Sequence, residues 1–328
     1  MGVRKGPGLV LAALAAWLCA GPLAAQVPLT PHQPSPGLPA DPDSVLVEEL
    51  VVVARDRGPA WWTVSNGAST VYVLGAPSLA PIRTAWDTTT LERRLRGANQ
   101  VILPFQTVKL NFTGSLGAAW NYLRLRSGPF EGSLDPATKG RFIAAREKIG
   151  QPAKRYATHN ALAAGLLLAG DYRDHARLTN ADTAKVVKVY AEKAGVKVVQ
   201  RSYSVGALLG QVIRTPAAAG LACLDAVMDQ VEAGPGVTFA AAHAWALGDT
   251  VGALENERTY ERCIALVPGA AAFDARSKAD QVAALEEALR KPGHSVAVVQ
   301  LRPLLAQGGV LDQLRSKGYQ VRTPGETQ

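Results

Sequence analysis

Apolar positions follow two rhythms along this 328-residue chain. Near the front the rhythm is short. Residues 69–74 place Thr70, Val71, Tyr72 and Val73 side by side, and such branched and aromatic side chains suit a pleated, half-buried surface. A helix is predicted to open near Trp86, where Thr89 and Glu92 have capping-box spacing. Leu91, Leu95 and Ala98 recur on its inner face. Residues 99–104 then read as a second short strand, and strand, helix, strand at this spacing predicts a βαβ unit.

From about residue 135 to 290 the period lengthens to that of helices. Spans 137–149, 157–168, 181–194, 204–215 and 218–232 each predict one. A strand over 196–200 interrupts them after Gly195, which suits a helix end. Helices over 239–247 and 251–266 are expected around Gly248-Asp249, with Asp249 capping the second. The small-residue pattern from Gly206 to Gly210 suits close helix contact. A helix over 278–289 meets the Pro292-Gly293 stop, and a buried strand over 294–301, a helix over 310–317 and a strand over 319–322 follow. The expected class is α/β: a central, mostly β sheet from N- and C-terminal βαβ-like parts, with a large helical middle region of about 135–290, all within one domain over 45–324.

Composition changes the picture mainly at the front. Arg4 and Lys5, a short apolar run over 8–20 and Ala24-Ala25 predict an export signal over 1–25, cut ahead of Gln26. Bulky Trp17-Leu18 before Cys19 argue against a lipoprotein. Prolines 28, 31, 34, 36, 39 and 42 make residues 26–44 a proline-rich tether. The expected location is periplasmic or secreted. No later apolar run is long enough for a transmembrane span.

The chain has 35 basic and 27 acidic residues, a net +8 that becomes +6 once Arg4 and Lys5 leave. The positive charges are scattered, as in Arg93-Arg94 and Arg290-Lys291, with no basic stripe interleaved with aromatics, so nucleic acid is excluded as a partner. Cys223 and Cys263 remain after cleavage. In an oxidising compartment they predict a disulfide, closing a loop of about 40 residues worth roughly 3–4 kcal/mol; two buried thiols are the alternative. Residues 49–55 (Glu-Leu-Val-Val-Val-Ala-Arg) look like the box by which outer-membrane receptors contact their energy transducer. The chain is too short for the receptor barrel, so an ordinary strand or pairing arm is expected there.

The segment from Trp62 through residues 69–74 to Gly75-Ala76-Pro77-Ser78 resembles the opening strand of the TraB/GumN family, secreted proteins related to the metal-dependent Tiki proteases. Gly309 to Val321 looks like that family's closing helix and strand, and Ala184 to Val199 like its middle helix and strand. Glu257-Arg258-Thr259 looks like its glutamate-arginine-asparagine run with the asparagine replaced. The family pattern implies two glycine-to-histidine runs and glutamates that could ligate a divalent ion or act as a base. Here Gly75 is retained, but Ser78 stands at the first histidine. Pro104 stands where a glutamate ends the second strand, Arg201-Ser202 where leucine-glutamate follows the middle strand, and the run from Gln300 to Pro303 where the second glycine-to-histidine run belongs. Gly75, Ser78, Pro104, Ser202, Gln300 and Pro303 are therefore the degenerate family-site positions.

Other chemistry is thin. There is no Gly-x-Ser-x-Gly elbow, His-Glu-x-x-His or phosphate-binding glycine loop. Ser78 as a nucleophile has no base, and Pro77 makes its turn rigid. His32 is in the tether, His159 heads an apolar helix, His243 reads as a satisfied helix residue and His294 as solvated in a turn. Asp171, Asp174 and His175 are the remaining metal candidates, against the plainer reading of a charged loop. The expectation is an exported, non-catalytic protein without a cofactor, binding a periplasmic protein or small ligand in envelope or polysaccharide metabolism. A metal-dependent hydrolase with a relocated site and a receptor-associated adaptor using residues 49–55 are the alternatives.

Overall fold

The computed structural model describes residues 37–54, 57–107, 130–158, 160–203 and 210–326. The export signal, most of the tether, Arg55, His32, His159 and Gly206 lie outside them. The class is α/β. Strands β1 (Trp61–Ser65) and β2 (Ser69–Ala76) form a hairpin whose turn is closed by Asn66, which accepts the Ala68 and Ser69 amides. After the two-residue β3 (Ala80–Pro81), helix α1 (Thr89–Leu95) leads to β4 (Val101–Ile102). The α1 cap sits one residue earlier than its capping-box spacing predicts. The Thr88 hydroxyl donates to Glu92, and Asp87 accepts the Thr89 amide.

The middle region holds β5 (Gln106–Thr107), α2 (Pro136–Lys148), α3 (Ala161–His175), β6 (Leu178–Thr179), α4 (Asp182–Lys193), β7 (Val198–Val199) and β8 (Ser202–Tyr203). Then come α5 (Ala217–Ala233), α6 (Gly236–Ala246), α7 (Thr250–Leu254), α8 (Thr259–Ala265) and α9 (Ala270–Leu289). Caps start several of these. Asp135 accepts two amides ahead of α2, Asn160 accepts the Ala163 amide, and Asp249 caps α7 as its position predicts. Helices α3 and α5 approach closely because Gly220 carries no side chain; a Cβ there would lie 2.8 Å from the Leu162 nitrogen. The disulfide between Cys223 and Cys263 then ties α5 to α8.

The expected helix over 251–266 is two helices. Residues 255–258 break it because buried Asn256 and Arg258 make tertiary contacts that a continuous helix would forbid: Asn256 donates to the Leu79 carbonyl at 2.7 Å, and Arg258 reaches Asp41 at 2.8 Å. Glu257 then accepts the Thr259 amide and restarts the chain as α8.

The chain ends with β9 (Gly293–Gln300), α10 (Leu301–Leu305), α11 (Val310–Ser316) and β10 (Gln320–Arg322). The main sheet has the order β10-β1-β2-β9-β4-β7. Strands β2, β9, β4 and β7 are parallel, while β1 runs against β2 and β10. The front βαβ unit is therefore opened: β2 and β4 are parallel, but β9, from the far end of the chain, lies between them. His294 belongs to β9 rather than to a solvated turn. Its Nε2 lies 3.0 Å from the Arg94 carbonyl, and its ring meets Tyr72 edge-on.

Two apolar cores result. One joins the sheet to α1, α9, α10 and α11 through Trp62, Val73, Leu91, Leu285, Val298 and Leu304. The other fills the helical half around Phe142, Tyr156, Leu168, Leu224 and Met228. Full burial of each such side chain contributes about 1.5–3 kcal/mol. Residues 45–54 form neither a strand nor a free arm. Leu46 bridges Ala306, Val53 bridges Asp249, and between them a short turn over Glu48–Leu50 buries Leu50 completely.

Candidate functional site at the strand ends

Four parallel strands deliver their carboxyl ends to one side of the sheet. Registers Ala76↔Gln300, Ile102↔Ala297 and Ile102↔Val199 fix this directly. In open α/β sheets that side is where loops assemble ligand sites. Ser78 follows β2, Pro104 follows β4, Ser202 follows β7, and Gln300 ends β9 with Pro303 in the helix beyond it. These sequence-predicted positions, far apart along the chain, are thus brought to one end of the fold.

Gly75 is required there by space. A Cβ would come 2.6 Å from Leu301 Cδ1 and 2.8 Å from the Trp62 ring. Its carbonyl accepts the Trp245 indole N–H at 2.6 Å, which anchors α6 to the end of β2. Ser78 is buried, 8 % exposed. Pro104 presents only its carbonyl, which accepts from the Gln200 amide at 3.0 Å. Ser202 is exposed and sits in β8, paired in parallel with β5. Beside it, Tyr203 meets Phe105 and Phe273 edge-on and donates its hydroxyl to Asp280. Burial and then that carboxylate raise the Tyr203 phenol above its ordinary value, so it stays protonated. A cavity of about 130 Å³ opens between this corner of the sheet and α9, with Ile102, Phe105, Lys197, Arg201 and Lys291 in its wall.

The donor set decides what this end can hold. A divalent ion is held by imidazole, thiolate or carboxylate groups. Ser78, Pro104, Ser202 and Pro303 supply none of these, and among the described residues no group of three His, Cys, Asp or Glu is placed to hold a metal ion. The residues present do not fit the metal that the family pattern implies. The Asp171, Asp174 and His175 trio divides: Asp174 and His175 are exposed, whereas Asp171 is buried. Asp171 accepts from the Arg155 guanidinium at 2.8 and 3.0 Å and from the Tyr156 hydroxyl at 2.9 Å. This is the bidentate geometry of a structural ion pair.

Ionisable groups concentrate instead in a seam just beyond the ends of β2 and β9. Arg258, 7 % exposed, donates to Asp41 through Nε at 2.8 Å and Nη2 at 3.1 Å, and to Asp43 at 3.2 Å. Lys278 Nζ sits 2.6 Å from both Asp43 and Asp274. Arg302, two residues past β9, donates to the carbonyls of Leu254 and, at 3.5 Å, Asp43. Burial opposes ionisation of both aspartates. For Asp41 the Arg258 bond and charge overcome it and hold the carboxyl below its ordinary value. For Asp43 burial wins and raises it, despite Lys278. Residues 37–44, part of the proline-rich stretch, therefore lie on the body here, and Asp43 is 2 % exposed. Sequence reasoning found Glu257-Arg258 but missed the aspartates. Their signal was two acids one residue apart at the end of a proline run.

A model of the TraB/PrgY/gumN family matches residues 60–323. No curated protein and no solved structure matches the chain.

Proposed function

Because the chain belongs to the TraB/PrgY/gumN family, we propose that it keeps the family scaffold without the family's metal chemistry and works by binding. It is exported through the signal over 1–25, acts in the periplasm or outside the cell, and holds a ligand or partner in envelope or polysaccharide metabolism, as the gumN name implies for relatives. One observation carries this reading. The parallel sheet gathers Ser78, Pro104, Ser202 and Pro303 at its carboxyl end, and none of them is a divalent-metal ligand of the imidazole, thiolate or carboxylate kind. Replacement at a single position would be compatible with a shifted ligand; replacement at all four supports the reading that the imidazole and carboxylate donors of the family pattern are missing there.

Elemental analysis of the full chain, purified without chelator, tests the reading. Substoichiometric, readily dialysed metal is expected. Zinc, manganese or cobalt retained at one ion per chain through dialysis would overturn it. Cell fractionation tests the location: the mature chain is expected outside the cytoplasm, and full-length chain held inside would contradict export.

A further inference from the structure

The seam beside the strand ends is built to receive carboxylates on a peptide. Three cations from separate parts of the fold line it: Arg258 ahead of α8, Lys278 on α9 and Arg302 on α10. Arg258 and Lys278 are each more than nine-tenths buried. Two of their acidic partners, Asp41 and Asp43, come from outside the region matched by the family model, which begins at residue 60, while Asp274 beside Lys278 and Glu261 beside Arg258 lie within it. The cations thus belong to the family scaffold, and the preceding segment supplies half of the carboxylates around them.

The receptacle also reads backbone. Arg262 donates to the Pro39 carbonyl at 3.0 Å and the Leu38 carbonyl at 3.2 Å. The Val47 amide donates to Leu305, and Gln307 to the Val45 carbonyl, both at 2.9 Å. The fit is imperfect on both sides. Arg258 Nη1 and Arg302 Nε are buried donors, and Asp43 Oδ1 (ion-paired with Lys278) and Glu261 Oε2 buried acceptors, without a hydrogen-bond partner among the described residues, where buried polar groups normally have one. Arg258 Nη1 has Glu261 only at 3.9 Å.

We propose that the seam of Arg258, Lys278 and Arg302 is a binding site for an acidic peptide segment with two carboxylates one residue apart, which residues 38–47 occupy in cis until an outside segment displaces them. This deepens the reading of the protein as a binder and rests on it, by naming the chemistry of the ligand. Burying several charges is favourable only when they are paired, so a free receptacle has a strong demand for carboxylates. A competitor from outside meets an apparent affinity reduced by the fraction of time the cis segment is absent.

The probe is a fluorescein-labelled synthetic peptide of residues 37–47, titrated with the full chain and followed by anisotropy. D41N/D43N removes the cis charges while keeping side-chain shape. It is expected to bind the peptide at least about tenfold more tightly than wild type, as a mostly closed cis segment requires. A peptide with both aspartates changed to asparagine is expected to bind neither chain, and succinate in excess to compete only weakly, because it lacks the backbone read by Arg262. No saturable binding to D41N/D43N, equal binding by wild type, or equal binding of the asparagine peptide would each overturn the proposal. If D41N/D43N fails to fold, Pro42→Gly in the chain raises the entropy lost on ordering the cis segment and leaves every receptacle residue intact, and it must then bind the unchanged peptide more tightly than wild type. A chain that retains metal yet binds the peptide removes the functional reading alone; a metal-free, folded chain that ignores the peptide removes this inference alone.

Discussion

Two neighbouring regions at the same end of the sheet have opposite chemistry. At the carboxyl ends of β2, β4, β7 and β9 the positions expected to hold ligands carry hydroxyl and pyrrolidine groups. A short distance beyond β2 and β9, the seam around Arg258 holds paired cations and carboxylates at 2.6–3.2 Å, almost without solvent. The first region presents serine and proline, with no acid, imidazole or thiol, at Ser78, Pro104, Ser202 and Pro303. The second keeps the Glu257-Arg258 run and surrounds it with charge. Shape and chemistry have thus separated. Gly75 is fixed by space, because β2 has no room for a Cβ there, and that requirement is independent of any metal.

The comparison can be broken from either side. The largest effect is expected in the seam. Arg258→Ala strands Asp41 without its main cation and leaves Asp43 to Lys278 alone, and removal of one partner of a buried pair costs about 3–5 kcal/mol; urea unfolding should show it, and a loss within about 0.5 kcal/mol would mean the seam is solvated. Next is the disulfide that fixes α8, and so Arg258, against α5. Cys223→Ser with Cys263→Ser should lower stability by roughly 3–4 kcal/mol for a loop of this length, and an unchanged melting temperature on adding reductant would contradict it.

On the strand-end side, Gly75→Ala forces a methyl group onto Leu301 and Trp62. Such overpacking costs about 1–3 kcal/mol, while a neutral result would show that α10 yields readily. Acid titration gives a smaller and signed effect. Asp41 has a folded value below its ordinary 3.8, so its stabilisation is complete above that pH. The advantage of wild type over Asp41→Asn should be constant near neutrality, shrink below 3.8 and vanish once the pH passes below Asp41's own lowered value; a difference that grows in acid would reverse the assignment. The smallest effect belongs to exposed Ser202, where Ser202→Ala should stay within about 0.5 kcal/mol by thermal unfolding.

Strands β2 and β9 were legible because each is a long run of β-formers, and the helical middle because its apolar period is sustained. The order of the sheet was not. Nothing local in β9 says that it enters between β2 and β4, since that pairing joins residues about two hundred positions apart, Val101 with Val296. The break in 251–266 was hidden for the same reason, because Asn256 and Arg258 find partners 177 and 217 residues away. At the site, resemblance located Gly75, Ser78, Pro104, Ser202, Gln300 and Pro303, and topology brought them to one end. Asp41 and Asp43 escaped notice because two acids among prolines look solvated in sequence, and only burial against Arg258 and Lys278 gives them a role.

The separation of shape from metal chemistry is tested most directly by titrating zinc, manganese and cobalt into the dialysed protein while following its thermal unfolding. A ligand that binds only the folded chain stabilises it by RT ln(1 + [L]/Kd), so the melting temperature must climb with the logarithm of free metal above Kd. The account predicts no such climb with any of the three. A logarithmic climb that disappears in Ser78→Ala or Gln300→Ala would contradict it.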